Sequence, residues 1–310
     1  MGFNFYFASM DDKRTMPYFY EKGFKLLYSQ INNRTSLNKT LEVPKDKRGG
    51  LLVDSGAHSA HTKGIELDLD EYISYVNANI DNIDYYVQVD KIPGKYLKPK
   101  TMQDFIEAPM LSWENYKYMR EQSKDCDKLI PVFHQGEDLK WLSNMLEARF
   151  DGEPIKYIGL SPRGDVAAMD KYLFCAQCFE VIQNSSNPEV KTHAFGMTSL
   201  KLLEKLPFYS ADSTTYLHVA AYGQVWTPYG KIGISKENIA HSTSNLNYYH
   251  MDKKQRKKLE DYFDSIGFTV EELAESHVPR TKASALYCQN WADNYVYSGL
   301  KSFKTTKRLF

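Results

Sequence analysis

The chain has 310 residues, of which 42% are hydrophobic and 25% are charged, a composition that fits a globular protein and disfavours disorder, collagen and coiled coil. Its 39 basic residues equal its 39 acidic residues in number. This balance argues against nucleic-acid binding through global positive charge, but it leaves room for a local basic face. The length fits one large α/β barrel or two smaller domains.

Cysteine content and hydropathy indicate the compartment. The chain has only four cysteines, too few for a disulfide scaffold of this size, which favours a reduced, intracellular setting. No apolar run approaches the roughly 18 residues of a membrane span. The N-terminus lacks the basic region of a signal peptide. The sequence therefore predicts a cytoplasmic protein.

Short apolar or β-branched runs alternate with longer amphipathic stretches along the chain. The predicted strands are Phe3–Ser9, Leu51–Asp54, Tyr85–Asp90, Leu129–His134, Tyr157–Leu160, Lys191–Phe195, Phe208–Ala211 and Gln224–Thr227. The predicted helices include Leu69–Ile80, Trp113–Ser123, Asp138–Arg149, Val166–Gln183 and Ser199–Leu206. Eight strands alternating with helices predict an α/β fold of the (β/α)8, or TIM, barrel type; the alternative is a doubly wound open sheet.

Polar residues at the predicted strand ends favour the barrel. In a barrel these ends meet at one mouth, where active sites lie, whereas an open sheet would spread them along an edge. The residues concerned are Asp54, Asp90, His134 with Gln135, Ser161, Gly196 and Asp212.

The C-terminal part differs in composition. We assign residues 1–238 to a catalytic barrel domain and 239–310 to a small helical extension packed on it. The extension carries a basic run from Lys253 to Lys258 and a second one from Lys301 to Arg308. Such runs are usually solvated helix faces, but a local patch is enough for phosphate contacts. The candidates for those contacts are Lys253, Lys254, Arg256 and Lys257.

Three carboxylates stand out at strand ends. Asp54 precedes a small-residue turn in which Gly56 allows close backbone approach. Asp90 and Asp212 also follow apolar strand residues. One carboxylate can attack an anomeric carbon while a second serves as acid or base, as in retaining glycosyl transfer. For each of the three, the alternative is a helix or turn cap.

Two segments could contact a flat ligand. Gln135 offers a donor and an acceptor that suit the edge of a purine-like base, unless loop backbone satisfies its amide. Gly159 could present bare backbone N–H and C=O groups, although its segment is not a Walker loop.

Cys175 and Cys178 form a CxxC pair inside a predicted helix, without a second pair or a suitable pair of histidines, so we interpret them as thiols of the core or surface.

The order of these motifs resembles the tRNA-guanine transglycosylase superfamily over about residues 50–230. It is most similar to the phage-type branch that places 7-deazaguanines in DNA. The shared pattern is Asp-Ser-Gly, a strand-end Asp, Gln-Gly, Ile-Gly-Leu, His-Ala-Phe-Gly-Met and Ala-Asp-Ser. The resemblance implies that Asp212 is the nucleophile and Asp54 the general acid/base, that Asp90, Gln135 and Gly159 bind the base, and that Phe195 and His58 stack on it.

The resemblance also implies a reaction. The family exchanges a guanine already in nucleic acid for a free 7-deazaguanine without breaking the backbone. Asp212 would attack C1′ and expel guanine, and Asp54 would deprotonate the incoming base. The expected protein is a DNA guanine transglycosylase that inserts a base such as preQ0, uses no cofactor, and masks phage DNA from restriction in the host cytoplasm.

The sequence departs from the family in two places. The tRNA enzymes hold zinc with three Cys and one His near the C-terminus, and only Cys288 resembles one of these ligands, so we expect no metal and favour DNA over tRNA. The family's Gly-Gly-aromatic-Gln is replaced by Gly56–Ser59, a departure at the position of His58. The alternatives are a tRNA-guanine transglycosylase, a nucleoside or glycoside hydrolase, and a non-catalytic barrel subunit that binds nucleic acid or a partner.

Overall fold

A computed structural model describes residues 2–197, 199–236 and 246–297. Its strands are β1 (Asn4–Ala8), β2 (Lys25–Ser29), β3 (Leu51–Asp54), β4 (Tyr85–Val87), β5 (Leu129–Ile130), β6 (Val132–His134), β7 (Arg149–Phe150), β8 (Glu153–Pro154), β9 (Tyr157–Ser161), β10 (Lys191–Ala194), β11 (Ser210–Ser213), β12 (Gln224–Thr227) and β13 (Gly230–Gly233). Nine of these strands form one parallel sheet in the order β5-β4-β3-β2-β1-β11-β10-β9-β6, while β7 with β8 and β12 with β13 form two small antiparallel pairs.

The α-helices alternate with the strands and then dominate the C-terminal part. They are α1 (Met16–Glu21), α2 (Arg34–Leu41), α3 (Ala57–Lys63), α4 (Leu69–Asn79), α5 (Met102–Gln122), α6 (Leu139–Glu147), α7 (Ala168–Gln183), α8 (Leu200–Leu203), α9 (Thr215–Ala221), α10 (Lys253–Ser265), α11 (Val270–Glu275) and α12 (His277–Asp293). Every helix in the described ranges is too short or too polar to cross a lipid bilayer.

The nine-stranded sheet nearly closes on itself. Its two edge strands, β5 and β6, are consecutive in the chain and separated only by Pro131. One pairs with β4 and the other with β9, and the Pro131 carbonyl accepts a hydrogen bond from the Gly159 N–H at 2.8 Å. A parallel, barrel-like α/β fold is therefore confirmed, but in place of a regular (β/α)8 barrel the structure has a nine-stranded sheet with a split closing strand.

One strand of the sheet was missed, and one strand prediction was wrong. Lys25–Ser29 was not predicted, although it lies between β1 and β3 in the barrel-like sheet. Gln224–Thr227 was predicted as a barrel strand, but it pairs antiparallel with Gly230–Gly233. Only Pro228 and Tyr229 separate these two strands, and so short a connection permits a hairpin but not a parallel crossover.

The sheet separates two apolar layers. The inner layer fills the barrel and consists of Tyr6, Ala8, Leu27, Leu52, Val87, Ile130, Val132 and Tyr157. The outer layer, which contains Phe5, Phe7, Val53 and Phe133, packs between the sheet and the helices. Because side chains alternate across a strand, a residue two positions after an inner-layer residue also faces inward. This alternation fixes which polar side chains reach the open end of the barrel.

The C-terminal helices pack on the barrel through α12. The Trp291 ring meets the Phe3 ring edge-on, with centroids 5.2 Å apart. A separate core joins the hairpin to α10, α11 and α12; it contains Val225, Ile232, Ile234, Leu259, Phe263, Leu273 and Ala283. This core therefore includes residues of the hairpin as well as residues of the C-terminal helices. The predicted boundary at 238/239 and the basic segment Lys301–Arg308 lie outside the described residues.

Candidate functional site

Polar side chains from three separated strands meet at the mouth, which we define as the open end formed by the C-terminal ends of the barrel strands. Asp54 follows the inner-layer residue Leu52, and Asp212 lies opposite Tyr6 in the β1–β11 register. His134 follows Val132 in the same way. Asp90 joins them, because its Oδ2 lies 2.9 Å from His134 Nε2.

The surroundings of Asp54 raise the pKa of its carboxyl group to near neutral pH. Burial raises its pKa to about 7, with the Asp90 and Asp212 charges adding to the rise and a hydrogen bond from the Gly56 N–H to Oδ2, at 3.0 Å, opposing it. Gly56 has φ +84°, and a Cβ there would lie 2.6 Å from an Ile31 side-chain atom. Only glycine therefore fits this turn. A carboxyl group with such a pKa suits general acid/base catalysis.

We expect Asp54→Asn to remove a pH dependence of stability. The folded pKa of about 7 lies above the ordinary 3.8, so the stabilising proton is fully bound below about pH 4 and is lost as the pH rises through about 7. The wild-type free energy of unfolding should therefore fall by about 1–2 kcal/mol between about pH 6 and pH 8, and that of Asp54→Asn should not. Urea unfolding at the two pH values measures the difference.

Asp12→Asn is the matched control for Asp54→Asn. The hydrogen bond and charge of Arg14 lower the pKa of Asp12 to about 2, so the effect of this substitution on stability should be the same at both pH values. A wild type with no fall in stability, or an Asp54→Asn variant that keeps the fall, would contradict the assignment of Asp54.

A charged imidazole joins two buried carboxylates in the mouth. His134 Nε2 lies 2.9 Å from Asp90 Oδ2 and His134 Nδ1 lies 3.2 Å from Glu137 Oε1, while the Asp90 and Glu137 side chains are only 8% and 1% exposed. Burial alone would lower the pKa of His134, but the hydrogen bonds and charges of the two carboxylates raise it to about 10. The three residues therefore form a carboxylate–imidazolium–carboxylate bridge.

Asp212 is held from one side. Its Oδ1 lies 3.2 Å from His193 Nε2 and accepts a hydrogen bond from the Gly196 N–H at 3.0 Å. His193 is completely buried, and Gly196 has φ +59°, a conformation that favours glycine. The loop after β10 thus supplies one donor and β10 itself supplies the other.

Sequence analysis did not identify several of these residues as part of the site. His134 was noted only as a polar strand end, and Glu137, His193 and Gln88 were not singled out. The alternation of side chains marks His134 and His193 as inward-facing once the strands are known. Gln88 is completely buried, and neither amide atom has a hydrogen-bond partner in the described part of the chain; its isolated polar character between apolar neighbours was the available signal.

Two of the predicted base-binding residues, Gln135 and Gly159, use their polar groups within the protein. The Gln135 amide oxygen accepts from the Arg163 N–H at 3.0 Å, and its amide nitrogen donates to the Asp170 carbonyl at 3.3 Å. This is the loop-backbone arrangement that the sequence left open. The Gly159 N–H is used in the sheet, and His58 is exposed on α3. Base contacts by these three residues stay predictions.

We expect Gly159→Ala to destabilise the protein through Phe195. A Cβ at Gly159 would lie 2.3 Å from the Phe195 ring, so the ring must move, and such overpacking costs about 1–3 kcal/mol. Adding Phe195→Ala should relieve most of this cost, which a double-mutant cycle of unfolding free energies measures. Gly164→Ala is the control, because a Cβ there meets nothing within 4 Å. An equal cost of Gly159→Ala in both backgrounds would disprove the contact.

The candidate phosphate contacts lie on α10 and differ in their surroundings. Arg256 is half-buried and donates to the Tyr249 carbonyl at 2.7 Å, so it anchors the loop before the helix. Lys257 pairs with Asp261 at 2.9 Å, whereas Lys253 and Lys254 are exposed. These contacts are those of a solvated helix face with one structural arginine, and phosphate binding stays a prediction.

The cysteines lie in apolar surroundings. Cys175 and Cys178 are completely buried within α7, and Cys288 is completely buried in α12. Burial raises the pKa of the Cys175 thiol to about 12, which keeps it protonated and a poor metal ligand. Within residues 2–197, 199–236 and 246–297, no three His, Cys, Asp or Glu side chains are arranged to hold a metal ion.

Comparison with known proteins identifies no family for this chain, so a functional proposal must be based on the fold and on the residues of the mouth. No protein-family model matches the chain, and no curated protein matches it.

Proposed function

We propose that the protein is a DNA guanine transglycosylase that exchanges guanine for a 7-deazaguanine such as preQ0 through a covalent aspartyl-glycosyl intermediate. One observation carries the proposal. Asp54 on β3 and Asp212 on β11 are separated by two strands of the sheet, yet they converge in one mouth closely enough for Asp212 to raise the pKa of Asp54. A nucleophilic carboxylate and a second carboxyl group nearby that serves as acid and base are what retaining glycosyl transfer requires.

The residues support both halves of the exchange. In the first step the Asp212 carboxylate bonds to C1′, the C1′–N9 bond breaks, and its electron pair leaves with guanine, which takes a proton from Asp54. In the second step N9 of the incoming base attacks C1′, the bond to Asp212 breaks, and Asp54 takes the N9 proton. A pKa of about 7 lets Asp54 act as acid and then as base at neutral pH.

Asp90 is the best placed of the base-reading candidates. A carboxylate accepts the N–H groups that guanine and 7-deazaguanines share on one edge, and the contact of His134 Nε2 with Oδ2 at 2.9 Å holds the Asp90 carboxylate in place. The target nucleotide must leave its stack at a cost of a few kcal/mol, which the Phe195 ring, half-buried at the mouth, would partly offset.

We favour DNA as the substrate. The tRNA enzymes of the family that the motifs resemble grip their substrate with a zinc-bearing tail, and this sequence lacks that set of cysteines and histidine. The exposed Lys253 and Lys254 on α10 are a local source of phosphate contacts on a chain without net charge.

The test is base exchange by the purified protein on two substrates, duplex DNA and tRNA, each carrying labelled guanine and each incubated with unlabelled guanine or preQ0. We expect label to leave DNA only when free base is present, and expect Asp212→Asn to abolish this loss. Exchange on tRNA alone would make the protein a tRNA enzyme, and release without exchange would make it a hydrolase. If neither exchange nor release occurs on DNA or on tRNA, the protein is a non-catalytic barrel subunit. Mass spectrometry of host nucleosides after expression with a deazaguanine supply checks the product.

A further inference from the structure

The two oxygens of the Asp212 carboxylate have different surroundings. Both hydrogen bonds that Asp212 makes in the described part of the chain, from His193 Nε2 and from the Gly196 N–H, end on Oδ1. Oδ2 accepts none there. The carboxylate is therefore fixed in rotation with one oxygen occupied and one oxygen left to react.

Behind His193 lies a chain of buried hydroxyl groups. His193 Nδ1 is 2.5 Å from Ser210 Oγ, and Ser210 Oγ is also hydrogen-bonded to the Tyr157 hydroxyl. His193, Ser210 and Tyr157 are at most 1% exposed. We call Tyr157, Ser210 and His193 the inner relay.

Each buried hydroxyl proton needs an acceptor, and this requirement fixes which atom donates in each hydrogen bond of the inner relay. In the described residues the Tyr157 hydroxyl has only Ser210 as a partner, so its proton must point to Ser210 Oγ. The Ser210 proton is then left for His193 Nδ1, which must be the unprotonated ring nitrogen. The proton of a neutral imidazole is thus on Nε2, facing Asp212. Any other arrangement leaves a buried hydroxyl proton without an acceptor, which is costly.

We infer that the inner relay is a positioning device for the nucleophile: it locks His193 in the Nε2–H tautomer, so that Oδ1 of Asp212 receives a second hydrogen bond beside that of the Gly196 N–H and Oδ2 is the attacking atom. This inference rests on the proposed function only for the identity of the reaction, and the tautomer itself does not depend on it.

The inner relay affects the two half-reactions in opposite directions. The donors to Oδ1 stabilise the Asp212 anion, which is consumed when Oδ2 bonds to C1′ and is released when the incoming base displaces it. Losing the His193 donor therefore favours formation of the glycosyl-enzyme and disfavours its breakdown. A charge-assisted hydrogen bond is strong enough to change the ratio of covalent to free enzyme by about tenfold or more.

The first experiment reads the tautomer directly. Nitrogen NMR of histidine-labelled protein, with the His193 signal assigned by its absence in His193→Gln, should show a protonated Nε2 and an unprotonated Nδ1. Ser210→Ala should mix the two tautomers, and Ser210→Thr should restore the wild-type pattern. A wild-type His193 that carries its proton on Nδ1, or that is unchanged by Ser210→Ala, would overturn the inference. This readout needs no activity.

The second experiment measures how much covalent enzyme–DNA adduct accumulates. During exchange on DNA, Ser210→Ala should accumulate covalent enzyme–DNA by about tenfold over wild type, as resolved on denaturing gels, and Ser210→Thr should not. Tyr209→Phe is the matched control, because Tyr209 packs edge-on against Tyr157 with centroids 5.5 Å apart but lies outside the inner relay. Equal loss of both half-reactions in Ser210→Ala would indicate a merely structural role. Absence of any wild-type adduct would count against the proposed function, while the NMR result would still decide the tautomer.

Discussion

Asp212→Ala is expected to lower the rate of base exchange by at least about 10⁴-fold, the scale of loss when an enzyme's nucleophile is removed. The substitution removes the only group assigned to bond with C1′, whereas Asp54 can still protonate a leaving base. DNA binding should change little, because the carboxylate would repel rather than attract phosphate. Exchange of labelled guanine measures the rate, and fluorescence anisotropy with labelled DNA measures binding.

Two controls separate chemistry from folding in the Asp212 experiment. Asp212→Asn keeps the shape of the side chain and should be about as inactive as the alanine variant. Asp127→Ala removes a surface carboxylate that pairs with Lys156 and should leave exchange unchanged. An Asp212→Ala variant that retains exchange within about tenfold of wild type would rule out a covalent intermediate on this residue.

The second large effect is on stability: we expect His134→Leu to lower the free energy of unfolding by about 3–5 kcal/mol. The substitution leaves Asp90 and Glu137 buried at the mouth without the cation between them. The folded pKa of about 10 lies above the ordinary 6.5, so the stabilisation is fully present below about pH 6.5 and is lost as the pH rises through about 10. The penalty should therefore be largest near pH 6 and should shrink toward pH 10.

The His134 experiment has a rescue and a control. Adding Asp90→Asn and Glu137→Gln removes the uncompensated charges and should recover part of the lost stability, in a manner that is not additive. His218→Leu changes an exposed histidine on α9 and should have an effect below about 0.5 kcal/mol. A His134→Leu variant as stable as His218→Leu at pH 6, or a penalty that grows toward pH 10, would refute the charged bridge.

Local patterns were enough to place the three acids of the site. Asp54 and Asp90 follow apolar residues of β3 and β4, whereas Asp212, predicted just after a strand at Phe208–Ala211, lies within β11 (Ser210–Ser213). The parallel architecture then brings the strand ends together, so the convergence of the three acids follows from strand identity. The barrel-like sheet was also predictable, because seven of its segments are short apolar runs between amphipathic helices. Lys25–Ser29 escaped because its five residues begin and end with polar side chains.

Hydrogen-bond partners across the mouth were not predictable from local patterns. Whether Gln135 faces a ligand or the loop is decided by Arg163, which belongs to the connection after a neighbouring strand. Likewise, the link from His193 to Asp212 depends on the register between β10 and β11. These pairings are set by contacts between segments far apart in the chain, and a side chain's type indicates only that it needs some partner.

The pairing of β1 with β11 has a consequence for how the protein folds during synthesis. The Asn4 side chain bonds to the Tyr209 carbonyl, 205 residues away, and Asp212 lies beside Tyr6 only after this pairing forms. At about 5–20 residues per second, β1 emerges roughly 10–40 s before its partner. Until then one edge of β1 is open to incorrect association, and Asp212 is not beside Tyr6. The four polar residues of the mouth therefore come together only after β11 is made, so a nascent chain that ends before β11 lacks the complete mouth.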